Sequence, residues 1–457
     1  MTESVEQSSG ESQVEKDIRL WGKVLGDPAP GARLLDAPIL GGLIKERADD
    51  FLVDEIPLYE PSGEGEHLYL RIQKVDLAHS ELLEVLKKHF GVPEAAIGAA
   101  GMKDRIAVTS QAVTIRMPGK EMPTKPIKDG RVKILWTTRH GNKLRRGHLT
   151  GNRFVIRIRG LDPLQAPHVW RGLKELERRG VPNYFGTQRF GYRRNTQRLG
   201  VLMLLEQYEK LLEEVLGTGG SWFPSHQRAQ REAYDNGDYK EALRRWGRRD
   251  VVERAVLSKL VRGKGPKEAI RGVSMHTRSF WGSALQSAIF NRLLDARIES
   301  GDFNRMMIGD IAFKHDSRKT FHVDRGTFGA EDQQARADRF EISPSGPIIG
   351  AEGMIATEEV GAMEERVIQE TGLSSEIIQK ATDELLGARR PYRVAITNIE
   401  LDSGFDDHGP HIRIAFDLPR GAYATVVLRE ILGDEAVESA RRDQRDKKVF
   451  DAGKDPG

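Results

Sequence analysis

The 457-residue chain contains no cysteine. That excludes disulfides, thiolate nucleophiles, cysteine-held iron–sulfur clusters and the usual structural zinc sites. An intracellular enzyme fits this absence, although a cysteine-free secreted protein would look the same. Long apolar runs are also missing, and the first residues are acidic and polar instead of basic then apolar, so neither a membrane span nor a signal peptide is indicated. The glycines of PSGEGEH (61–67) and VRGKGPKEA (261–269) match neither a Walker loop nor a dinucleotide fingerprint. There is no GxSxG elbow and no HExxH, and His276, His315, His322, His408 and His411 supply no third ligand at metal spacing. No cofactor and no metal are therefore expected.

What is present is the composition of a mostly soluble, globular protein long enough for two or three domains: 38% hydrophobic and 30% charged residues. The net charge is only +3, but it is unevenly spread. Between Arg131 and Arg159 stand nine Lys or Arg residues and no Asp or Glu, which suits a polyanionic partner. The plainer reading is a basic sheet face with no partner. In RFVIRIRG (153–160), Arg153, Arg157 and Arg159 share one parity while Phe154, Ile156 and Ile158 take the other, so one face of this strand is arginine-lined and the other can pack on a core.

Strand patterns are read at 51–55, in HLYLRIQK (67–74), QAVTIRM (111–117), RVKILWTTR (131–139) and RFVIRIRG, and again in YRVAITNIEL (392–401) and HIRIAFDL (411–418). Tyr69 and its neighbours alternate as in a half-buried strand. Helical spacing runs from Leu77 to Phe90, closed by Gly91, then over Pro167–Arg179, Thr196–Leu216 and Ala284–Ile298. Trp136 and Trp170 read as packing residues. The return of strands near residue 390 suggests one mixed-sheet domain interrupted by an insertion. The expected layout is a tail at 1–30, a first domain in two parts at 31–209 and 389–445, an inserted domain at 210–388, and a tail at 446–457.

Chemistry is placed in GAAGMKDRIAVTSQ (98–111). Asp104 is the best nucleophile candidate, and flanking Lys103 and Arg105 would favour its ionised form. The same three ions could be a solvated surface cluster. NYFG (183–186) offers an amide that can pair with a base edge and two rings that can stack, or else a turn with buried aromatics. Arg189, Arg193, Arg194 and Arg198 follow at once, a candidate phosphate-binding face. Phe51, Val53 and Glu55 share one side of a strand, where a core role is the ordinary expectation.

Taken together, FLVDE (51–55), GEGEHLYLRIQK (63–74), AGMKDRIAVTSQ (100–111), VPNYFGTQRFG (181–191), SALQSAIFNRLLDARI (283–298) and LPRGAYATVVLRE (418–430) resemble the TruD family of pseudouridine synthases, in family order across nearly the whole chain. The resemblance implies an α+β fold: a pseudouridine-synthase mixed β-sheet catalytic domain interrupted by an inserted TRUD-type α/β domain. It implies isomerisation of a uridine in RNA, at position 13 of tRNA, with Asp104 catalytic and Phe51, Asn183, Phe185 and Tyr423 in the substrate pocket. Tyr423 stands where the family commonly has phenylalanine. Lys103 joins the substrate-binding set, and Arg145, Arg146, Arg189 and Arg193 are read as RNA-backbone contacts. The partner expected is tRNA, met by a cytoplasmic monomer with no protein partner and no membrane. The layout looks closer to archaeal relatives than to compact bacterial ones. The alternative is a non-catalytic structured-RNA-binding or RNA-folding factor, and a weaker one is a base-releasing hydrolase.

Overall fold

The computed structural model describes residues 25–119, 126–330, 332–381 and 385–438, so most of both expected tails lies outside the described residues. Among the described residues, contacts divide the chain into a sheet unit, 34–183 with the stretch from 394 onward, and an inserted unit, 184–393 with the stretch before 34. The insertion thus begins before the expected residue 210. Thr196–Leu204 is part of it: a Cβ added at Gly200 would come within 2.4 Å of the Trp281 carbonyl, so this helix lies flush on the helix Met275–Glu299. The single helix expected over 196–216 is two, Thr196–Leu204 and Tyr208–Leu216, parted at Glu206, whose φ is 54°.

The sheet unit contains β1 (Phe51–Pro57), β2 (His67–Val75), β3 (Ile97–Ala99), β4 (Val108–Arg116), β5 (Val132–His140), β6 (Leu149–Arg159), β7 (Thr397–Asp406) and β8 (Gly409–Pro419). They form one mixed sheet in the order β7-β8-β6-β1-β4-β2-β5, with β3 also on β4. β1 and β4 run parallel and the other pairs antiparallel. Helix α1 (His79–Phe90) lays Leu82, Leu86 and Phe90 against Leu70, Ile72, Val113 and Ile115, and Gly91 closes it at φ 62°. On the opposite face Tyr69 is covered by Leu144 and Tyr59, so β2 is buried almost throughout instead of half-buried. The remaining helices of this unit are α2 (Ala166–Arg179) and α3 (Ala424–Leu432).

The arginine-lined face of β6 exists, but it is met by acids from elsewhere in the chain. Arg159 holds Asp50 through two bonds of 2.6 and 2.8 Å and Asp406 through two of 2.9 and 3.0 Å. Those bonds hold the Asp406 carboxyl well below the usual carboxylate range. Arg153 pairs with Glu400 and Asp417, and Arg157 donates to the Asp49 carbonyl. Arg159 is buried in these bonds, whereas Arg153 and Arg157 make theirs nearer the surface. Trp136 departs from the expected packing role in another way: it is 45% exposed and lies flat on Tyr69. The register shift that leaves Leu135 unpaired, with Ile134 opposite Ile72 and Trp136 opposite Arg71, turns it to that face. Trp170 is also part-exposed, with the Lys174 ammonium 5.4 Å from its ring.

In the inserted unit, a sheet runs in the order Ala388–Pro391, Ile342–Ile348, Ile311–Lys314, Thr320–His322. The helix Met275–Glu299 extends further at its N-terminus than expected, and Ser274 caps it by accepting from Thr277 N–H. Buried pairs Arg297–Asp310 (2.8 Å) and Arg389–Glu364 (2.6 Å) tie its elements together. His315 bonds to the Ser343 hydroxyl at 2.8 Å, and burial, with Arg393 adding repulsion, lowers its pKa to about 4. The folded protein thus binds fewer protons here than the unfolded chain between pH 4 and 6.5. Its contribution to stability is complete above pH 6.5 and lost as pH falls toward 4, by at most about 3 kcal/mol. Urea unfolding at a series of pH values should show this slope, and His315→Gln should flatten it. Among the described residues no helix is long and apolar enough to cross a membrane.

Candidate active site

Asp104 follows β3 in the loop that leads to β4, and the fold around it explains how it is held. Its neighbour across space is Lys45, whose Nζ lies 2.6 Å from Asp104 Oδ2. The Lys45 side chain is 9% exposed and that of Asp104 41%, so the ammonium is fixed from behind while the carboxylate still meets solvent. Lys45 adopts φ 59°, a left-handed kink just before β1. The same ammonium sits 4.1 Å from the centroid of the Phe51 ring. Phe51 opens β1, is 1% exposed, and is steadied edge-on by Phe154 at 6.3 Å. The main chain of Asp104 is anchored too: Lys74 Nζ donates to its carbonyl at 2.7 Å.

The basic loop between β5 and β6 borders this segment. Gly147 N–H donates to the Ala100 carbonyl at 2.8 Å, and Arg145 and Arg146 are exposed beside it. Gly98 makes the approach possible, since a Cβ there would meet the Leu144 carbonyl at 2.4 Å and Thr114 Oγ1 at 2.6 Å. Gly98→Ala should push this loop away and cost about 1–3 kcal/mol, with activity falling alongside. Thermal unfolding and a turnover assay read the two effects.

Lys103, expected to bind substrate, points the other way. Its Nζ lies 2.8 Å from Glu55 Oε2 and bonds to Asn152 Oδ1, and both ends of the ion pair are buried. Burial lowers the ammonium's pKa and the Glu55 charge opposes that fall. Glu55 in turn accepts from Ala112 N–H at 3.0 Å. This lysine is committed to the fold through Glu55 and Asn152.

Asn183 is buried at the end of the first stretch of the sheet unit, and Tyr423, 40% exposed, stands at the N-terminus of α3 in the same unit. Phe185 belongs to the inserted unit. There Asn291 grips its backbone from both sides, accepting from Phe185 N–H at 2.8 Å and donating to its carbonyl at 3.0 Å. The ring rests edge-on against Phe290, with the guanidiniums of Arg390 at 4.2 Å and Arg189 at 5.8 Å. Tyr184, the motif's other ring, is fully buried and donates to Asp295 at 2.6 Å. Arg189 bonds to the Ser283 and Ser287 hydroxyls. Arg193, expected on the RNA backbone, donates instead to the carbonyls of Glu214 (2.8 Å), Ser221 (2.9 Å) and Trp222 (3.0 Å). Three of its N–H groups are thus committed to main-chain carbonyls of the inserted unit.

The sheet unit therefore gathers Lys45, Phe51 and Asp104, and brings Arg145 and Arg146 beside the same loop. Lys45 escaped the sequence reading because it is 59 positions from Asp104 and lies in a bend without periodicity. Chemically, an accessible carboxylate beside an ammonium and an apolar ring can serve as base or nucleophile.

A family model described as tRNA pseudouridine synthase D (TruD) matches residues 32–431. The chain is 38% identical over 399 residues to tRNA pseudouridine synthase D of Geobacter sp. (strain M21), covering 87% of this chain and 98% of the relative. It is 33% identical to the protein of the same name from Thermus thermophilus, covering 88% and 92%. A crystal structure described as tRNA pseudouridine synthase D from Methanosarcina mazei superposes with a TM-score of 0.77 at 28% identity, over 90% of this chain and 98% of the other. Sequence and fold agree: this chain belongs to the tRNA pseudouridine synthase D (TruD) family.

Proposed function

We propose that the chain isomerises a uridine of tRNA, at position 13, to pseudouridine, with Asp104 as the catalytic carboxylate. The observation that carries this reading is the triad of Lys45, Phe51 and Asp104: an ammonium 2.6 Å from an accessible carboxylate and 4.1 Å from a buried ring. The reaction breaks N1–C1′, turns the uracil, and joins C5 to C1′, while C5 gives up a proton and N1 gains one. Nothing is oxidised or reduced, so no redox cofactor enters the balance. Asp104 acts as a carboxylate, either attacking the sugar or base or taking a proton from the sugar. Lys45 holds the carboxylate in place through the 2.6 Å contact.

Within the sheet unit, Asn183 and Tyr423 are assigned to the uridine, the asparagine to a base edge and the ring to stacking, with the buried Phe51 ring as the apolar backing of Lys45. The hydroxyl of Tyr423 leaves its stacking surface intact. Arg145, Arg146 and Arg189 are assigned to phosphates, whereas Lys103 and Arg193 are not part of this set. Taking the uridine out of its stack costs a few kcal/mol, which such phosphate contacts offset. The enzyme works as a cytoplasmic monomer on tRNA alone. Incubating purified protein with total tRNA and mapping pseudouridine at nucleotide resolution tests the reading: one converted uridine at position 13 supports it. Tight RNA binding with no converted uridine would favour the RNA-binding factor, and free uracil with an abasic product would favour the hydrolase.

A further inference from the structure

We propose that Lys74 is a positioning residue for catalysis: its buried ammonium fixes the peptide carbonyl of Asp104 and adds a second positive charge behind the carboxylate. This rests on the reading of Asp104 as the catalytic group. Lys74 lies near the end of β2 with a side chain that is fully buried. Its Nζ donates at 2.7 Å to the Asp104 carbonyl and at 2.7 Å to the Leu77 carbonyl, so it joins the catalytic loop to the turn that enters α1. Backbone bonding reinforces this junction, with Asp76 N–H donating to the Ala107 carbonyl at 3.2 Å.

A buried lysine held by two carbonyls is an expensive way to fill space, because desolvation opposes its charge and an apolar side chain would not suffer it. The charged groups around it are Asp104 and Lys103 in the loop, Asp76 at the strand end and Glu81 on α1, with His79 of α1 also close. Burial brings the ammonium down to about 8, and Asp104 is the largest influence in the other direction. The lysine's charge and the aspartate's ionisation are thus mutually supporting. Above this pH the neutral amine still has two hydrogens for two carbonyls, but the field behind the carboxylate is gone.

Single-turnover rates on tRNA across the neutral and alkaline range test this in the full-length protein. The wild type should lose rate above about pH 8. Lys74→Arg, which does not titrate there, should lack that limb. Lys74→Met should slow turnover by roughly a hundredfold through loss of alignment, with KM for tRNA little changed. A wild type without the alkaline limb, or a limb that persists unchanged in Lys74→Arg, overturns the proposal even where Lys74→Met does not fold. If Asp104→Asn is inactive while both Lys74 variants match the wild type, the Lys74 role alone falls. An active Asp104→Asn would remove the reading on which it rests.

Discussion

Asp104→Asn is expected to lower turnover by roughly a thousandfold or more while leaving tRNA affinity nearly unchanged. The amide has the size of the carboxylate and can still lie beside Lys45, so the loop keeps its shape. What disappears is the negative charge and the ability to attack or to take a proton. Binding, carried by phosphate contacts and by rings, does not depend on that charge. Pseudouridine formation in single-turnover mode and affinity by filter binding give the two numbers. Normal turnover by this variant would place the chemistry elsewhere.

Glu55→Ala is expected to be the most destabilising single change near the site, by about 3–5 kcal/mol, because it strands the buried Lys103 ammonium without its partner. Denaturant unfolding should show a lower midpoint. The companion Lys103→Met should be milder, since the glutamate it abandons still accepts from Ala112 N–H and the methionine fills the lysine's space. The pair of variants also tests the location of Lys103. A lysine that touched tRNA would show its loss in KM, whereas one locked to Glu55 shows it in stability.

The sequence carried the local features well, and for local reasons. Helix α1 announces itself by leucine spacing and by Gly91, because both signals lie within one element. Phe51, Val53 and Glu55 share a parity and are all buried. Contacts between distant segments were hidden. The stretch from Arg131 to Arg159 looked like a surface for a polyanion because its acids, Asp50, Glu400, Asp406 and Asp417, stand far away in the chain. Arg193 looked free for phosphate because main-chain carbonyls leave no mark in a sequence. The Asp104 motif showed its two sequence neighbours, yet Lys45, from a distant segment, also reaches its carboxylate, and Lys103 pairs with Glu55. Trp136 was misjudged because one unpaired residue, Leu135, reverses the parity of the strand.

The central position of β6 carries a consequence for how the chain is made. One flank of β6 pairs with β1, which is synthesised earlier, but the other pairs with β8, which emerges only after the whole inserted unit. Arg159 likewise takes one carboxylate, Asp50, from before it and the other, Asp406, from well after. During translation, then, a long strand rich in valine, isoleucine and phenylalanine waits with its backbone amides and carbonyls open on one side. The inserted unit sets the length of that wait, and a ribosome paused within it would hold a half-finished sheet exposed to other nascent chains.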